Sequence, residues 1–157
     1  MTMQAVMPAC RHAHLRRAVE QTREILDRVP MAPLMLMLRI GVGMVFWKSA
    51  MSKLANWDLT VQLFADEYQV PLLPPGLAAL LGTTAEVAGA VALILGIGAR
   101  FGSLALLGVT ATIQLFVYPE NWSEHLLWAS VLLLVLVRGA GPLSIDHILV
   151  RALRLGR

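Results

Sequence analysis

Four apolar runs set the rhythm of the chain: Leu34 to Leu54, about Leu77 to Ile97, about Phe101 to Tyr118, and a run that ends near Val137-Arg138. At ~1.5 Å rise per residue, about 20 residues cross a hydrocarbon core of roughly 30 Å, so the pattern predicts four transmembrane helices. No stretch alternates apolar and polar positions at period two, which argues against an outer-membrane barrel.

The breaks between the runs are equally readable. Pro30 and Pro33 punctuate the entry to the first. After it, Trp57 to Tyr68 reads as a short amphipathic helix with acids on one side, ended by Pro71, Pro74 and Pro75. The turn from Gly96 to Gly102 is too short for anything but a hairpin. Pro119 to His125 forms a short acidic turn, and the Gly139-Ala140-Gly141-Pro142 break leads to Ser144, placed to cap a last amphipathic helix through Leu155. At the other end, residues 11 to 28 gather Leu15, Val19, Ile25 and Leu26 on one helical side and predict a surface helix.

The resulting expectation is an all-α, polytopic membrane protein. It has four spans in an antiparallel bundle, flanked by N- and C-terminal amphipathic surface helices. Residues 1–30 form an amphipathic cytoplasmic segment, 31–147 the membrane domain and 148–157 a basic cytoplasmic tail.

Composition agrees. Of 157 residues, 57% are hydrophobic and 15% charged, and the mean hydropathy of +0.68 is too high for an ordinary soluble domain of this length. The net charge of +3 does not point to nucleic acid, because the basic residues are split between the two ends. All Lys and Arg except Arg39, Lys48 and Lys53 fall in the N-terminal segment, the Arg100 turn and the C-terminal region. With Asp58, Asp66, Glu67, Glu120 and Glu124 in the other two loops, the positive-inside rule puts both termini in the cytoplasm. The single cysteine, Cys10, excludes an internal disulfide, a redox cysteine pair and a thiolate metal cluster. No metal site is expected.

Candidate chemistry lies in the few polar residues inside the runs. Glu86 is the one charge between Leu77 and Ile97, and an ionisable group at that depth is protonated, paired or facing a wet cavity. Arg39 and Lys53 share one stripe of the first run with Gly43, Phe46 and Ala50, while Lys48 points the opposite way. With each span centred on the bilayer, Arg39 comes within reach of Glu86, and an Arg39–Glu86 ion pair is the preferred structural expectation, with Lys48 and Lys53 as interfacial anchors. The functional expectation is a polar pocket that opens outward, built from Glu86, Arg39 and either His125 or Lys53, for a quinone-like head group, a small solute or protons. Gln114 either bonds to a neighbouring helix or lines that pocket. His125 shares a helical face with Trp122 and Trp128, either as a satisfied interfacial residue or as a group at the pocket mouth.

Taken in order, Leu38-Arg39-Ile40-Gly41, Met51-Ser52-Lys53-Leu54, Ala85-Glu86-Val87-Ala88-Gly89, Leu95-Gly96-Ile97-Gly98-Ala99-Arg100 and Gly139-Ala140-Gly141-Pro142-Leu143-Ser144-Ile145-Asp146 resemble the DoxX family of small bacterial inner-membrane proteins. The likeness covers about residues 31 to 147, with Ala50 departing from a frequent family glycine. It implies a four-helix inner-membrane bundle and points to Arg39, Lys53, Glu86 and Asp146, with Gly141 in the tail motif. It also implies a membrane accessory subunit of a quinone-, sulfur- or thiol-linked redox system. Only His125 lies within a span, so one chain cannot build a bis-histidine haem, and no dinucleotide fingerprint is present. Electrons would therefore pass through a bound quinone or partner redox subunits, with no covalent cofactor. The residues assign no catalytic group. Proton-coupled small-molecule transport and a structural or assembly role are the alternatives, and a homo-oligomer is as open as a hetero-complex.

Overall fold

A computed structural model of the chain describes residues 16–17, 19–25 and 27–155. Cys10, Leu15 and Leu26, each used in the sequence expectations, lie outside the described residues, as do Arg157 and the side chain of Arg154 in the basic tail. The described residues carry helices and no strand.

The chain divides into two units, Met1–Met31 and Ala32–Arg157. In the first, the described positions from 16 to 27 are helical and exposed (α1), with an Arg23–Asp27 pair at 3.8 Å one turn apart. Exposed Val19 and Ile25 belong to its expected apolar side.

The second unit is built from α2 (Met31–Ala55, all but its first residue), α3 (Trp57–Leu63), α4 (Pro75–Leu95), α5 (Ala99–Thr112), α6 (Trp122–Arg138) and α7 (Ile145–Leu155). Helix limits follow the local chemistry. Pro33 sits in the first turn of α2, where a missing N–H is harmless, and Pro75 opens α4. Asn56 caps α3 by accepting from the Leu59 N–H at 3.1 Å. Gly96, at φ +70°, closes α4 in the left-handed conformation. Ser144 caps α7 as expected, accepting from the His147 N–H at 3.2 Å.

Two helices end in a widened turn. After α3, the Gln69 N–H bonds to the Phe64 carbonyl at 3.1 Å, and after α5 the Tyr118 N–H bonds to the Ile113 carbonyl at 2.8 Å, both five residues back. These π-type turns span Phe64–Tyr68 and Ile113–Val117.

Met31–Ala55, Pro75–Leu95 and Ala99–Val117 are long and apolar enough to cross a membrane. Their lipid-type surface is evident from fully apolar side chains left outside, such as Met37, Leu80, Leu104 and Leu115. The inward faces pack tightly. A Cβ on Gly89 would lie 2.5 Å from Leu106 Cγ, and one on Gly102 would lie 2.7 Å from Ala92 Cβ, so only glycine lets α4 and α5 approach this closely. On the α2–α4 side, Arg39 meets Leu93, Gly43 faces Ala90 and Ile94, and Lys53 meets Glu86. The contact order is opposite along the two helices, and that register decides the chemistry of the site.

Candidate functional site

The Arg39–Glu86 pair expected from sequence does not form. Glu86, 1% exposed, pairs instead with Lys53, whose Nζ donates to Glu86 Oε1 at 2.5 Å and to Ser49 Oγ at 3.0 Å. Helical side chains lean toward the N-terminus of their own helix, so Lys53 reaches back one turn to Ser49, which lies level with Glu86. The same lean carries Arg39 away from Glu86. Ten residues of helix separate Ser49 from Arg39, an axial offset of roughly 15 Å. Nor is Lys53 an interfacial anchor, since its head group is turned inward; Lys48 does remain exposed.

Arg39 is fully buried at the opposite end of the second unit. It donates to the carbonyls of Leu93 at 3.3 Å and Leu143 at 2.5 Å, locking the end of α4 to the approach to α7. Asp146 completes this lock. Its carboxylate accepts from the N–H groups of Gly98 at 2.8 Å and Ala99 at 3.3 Å, at the start of α5 where negative charge is favoured. The Asp146 N–H in turn bonds to the Gly96 carbonyl at 2.9 Å. Gly141, at φ +81°, passes beside Met35, where a Cβ would be 3.2 Å from the methionine Cβ. These bonds tie helix ends together, and among the described residues Arg39 Nε is the one buried polar atom of the cluster without a partner.

On the Lys53 side, α6 brings His125 inward, 4% exposed, with its Nδ1 at 2.6 Å from Gln114 Oε1. Gln114 Nε2 donates to the Pro119 carbonyl at 2.7 Å. The imidazole lies against Trp128 with ring centroids 5.2 Å apart, and Trp128 meets Phe46 edge-on at 5.6 Å. Trp122, expected on the same face, is exposed.

The loop after α2 folds over this region. Phe64 packs with Ala78 and Ala79 of α4, and Tyr68 contacts Phe64 edge-on at 4.9 Å. Tyr68 also meets Tyr118 at 6.0 Å, and the Tyr118 hydroxyl donates to Glu67 at 2.8 Å. That hydrogen bond to a carboxylate, with burial second, raises the Tyr118 phenol above its ordinary range. Burial, opposed by the contact with Tyr118, raises that of Tyr68.

Beneath the loop lies a cavity of about 480 Å³. Lys53, Glu86 and His125 line it, Phe46, Trp128, Phe64 and Tyr68 supply aromatic walls, and both widened turns contribute to its rim. Three of the sequence candidates therefore meet at one space. Gln114 stands behind His125, while Arg39, Gly141 and Asp146 belong to the opposite end. No group of three or more His, Cys, Asp or Glu that could hold a metal occurs among the described residues.

The family model for DoxX matches residues 34–119, more than half of the chain. The chain belongs to the DoxX family. No curated protein and no solved structure matches it. The matched part of this DoxX protein contains Arg39, Lys53, Glu86 and Gln114 and stops before His125, Gly141 and Asp146. Sequence reasoning did not select Ser49, Phe64, Tyr68 or Tyr118 for the DoxX site. Ser49 was readable in principle, one turn before Lys53 on the same helix. Phe64 and Tyr68 carried no such signal, because a loop's fold-back is not encoded in helical spacing.

Proposed function

We propose that this DoxX protein is an accessory subunit of a redox system in the bacterial inner membrane, and that its cavity holds a quinone-like ring. The observation that carries the reading is the cavity itself. It falls in the size range of small-molecule sites, its walls are aromatic, and the ion pair Lys53–Glu86 and the imidazole of His125 are its polar landmarks. A flat ring suits the walls, and oxygen substituents suit the polar groups.

In this proposal α6 is the fourth span of an antiparallel bundle, with both termini cytoplasmic. Its 17 residues rise about 25 Å, a short crossing with Trp122 and Arg138 at headgroup level. The cavity then opens on the outer side, opposite the basic turn at Arg100. Helix α7 lies along the inner surface, its exposed Ile148, Leu149 and Leu153 against lipid. Partner subunits supply the electrons, since the chain has one cysteine.

Proton-coupled transport is the second reading, favoured by Glu86 Oε2, which has no hydrogen-bond partner among the described residues. One experiment weighs both. The protein is extracted in mild detergent, and bound small molecules and co-purifying subunits are identified by mass spectrometry. A quinone near one per chain, absent from the cavity-filling variant Gly82→Phe, is the expected result. Equal quinone content in the two extracts contradicts the reading. Proton-driven solute uptake by liposomes containing only this chain, abolished in Glu86→Gln, would favour transport.

A further inference from the structure

We propose that His125 makes the cavity selective for a ring that donates an O–H group, so that a hydroquinone binds in preference to the corresponding quinone. This rests on the ring-binding reading above and specifies its ligand.

The hydrogen-bond chain behind the imidazole fixes its tautomer. The Pro119 carbonyl can only accept, so the Gln114 amide turns its NH2 toward it and presents Oε1 to His125. An oxygen acceptor at 2.6 Å from Nδ1 requires the proton on Nδ1. In the neutral ring Nε2 is then a bare acceptor. Among the described residues Nε2 has no hydrogen-bond partner, although the side chain is 4% exposed and lines the cavity. The free valence of the imidazole therefore looks for a donor.

Lys53 supplies the opposite complement. Two of its three ammonium hydrogens go to Ser49 and Glu86, and the third is left for a ligand oxygen. At their two positions Lys53 and His125 thus offer one donor and one acceptor to whatever enters. A hydroquinone satisfies both, donating one hydroxyl to His125 Nε2 and accepting at the other oxygen from Lys53. A quinone has two acceptors, and its second carbonyl would face the Nε2 lone pair. A mismatch of this kind, with an unpaired carbonyl set against an acceptor, costs about tenfold or more in affinity.

The test is anaerobic calorimetry at pH 8 on the full-length protein in detergent, with duroquinol and duroquinone as probes. The expected result is that duroquinol binds about tenfold more tightly. In His125→Phe the ratio falls to near one, through weaker duroquinol binding with duroquinone unchanged. Gln114→Leu is the companion variant: it keeps the imidazole but releases its tautomer, and it also lowers the ratio. Duroquinone binding as tightly as duroquinol to the unmodified protein overturns the role of His125 while leaving the ring-binding reading intact. A ratio unchanged in either folded variant does the same. Binding of neither probe overturns the ring-binding reading, and the proposal with it.

Discussion

Replacing Lys53 with methionine leaves the Glu86 carboxylate without the ammonium that now sits 2.5 Å from it. The remaining neighbours offer little, because Glu86 is 1% exposed and its second oxygen has no partner among the described residues. Stranding one member of a buried pair costs about 3–5 kcal/mol. Destabilisation of Lys53→Met is therefore expected at about 3–5 kcal/mol. Removing both charges in Lys53→Met/Glu86→Gln restores stability to within about 1–2 kcal/mol of the parent. Equilibrium unfolding in detergent micelles, followed by tryptophan fluorescence, measures Lys53→Met, Glu86→Gln and the double variant against the parent. Additive losses in the double variant would refute the buried pair.

Other consequences are cheaper to check. Gly96→Ala should cost more than about 3 kcal/mol, since Gly96 has φ +70° and its Cβ would collide with Arg39, displacing a buried guanidinium from two carbonyls. Gly41→Ala, in mid-helix with nothing within 4 Å, is the control and should be neutral or stabilising by up to about 1 kcal/mol in the same unfolding assay. The chain has two tyrosines, so a phenolate absorbance titration reads the loop directly. Both should ionise above the ordinary value of about 10, and Glu67→Gln should bring Tyr118 down. Because these phenols hold their protons longer in the folded state, their contribution to stability is present below that ordinary value and is lost as the pH rises beyond it. Ionisation of both at the ordinary value would mean that the loop does not close over the cavity.

Much of this architecture was legible because prolines and glycines mark the helix ends. Pro33, Pro75, Gly96 and Gly139 stand at or within a turn of the observed limits. The polar residues of the site were legible too, since a Glu, a Lys and a His stand out against apolar neighbours. Their pairing was not. Treating each span as centred on the bilayer put Arg39 beside Glu86, whereas the register set by Gly43 against Ala90 and Ile94 puts Ser49 there and leaves Arg39 near Gly96. Register depends on how side chains interdigitate between helices, and helical periodicity holds no record of it. Gln114 and His125 illustrate the opposite case. They stand at similar distances from the turn around Pro119 and face each other for that reason, a relation that chain spacing alone permits.

The central claim is that a cavity lined by Lys53, Glu86 and His125 lies beneath the loop and takes a small ring. Cysteine labelling tests it most directly, in a Cys10→Ser background. Ala85 lines the cavity and Leu80 lies on the outside of the same helix. In proteoliposomes, Ala85→Cys should react with a small water-soluble thiol reagent and be protected by duroquinol, while Leu80→Cys should be insensitive to the ligand. An Ala85→Cys that is inert, or one that reacts at the same rate with and without duroquinol, would contradict the account.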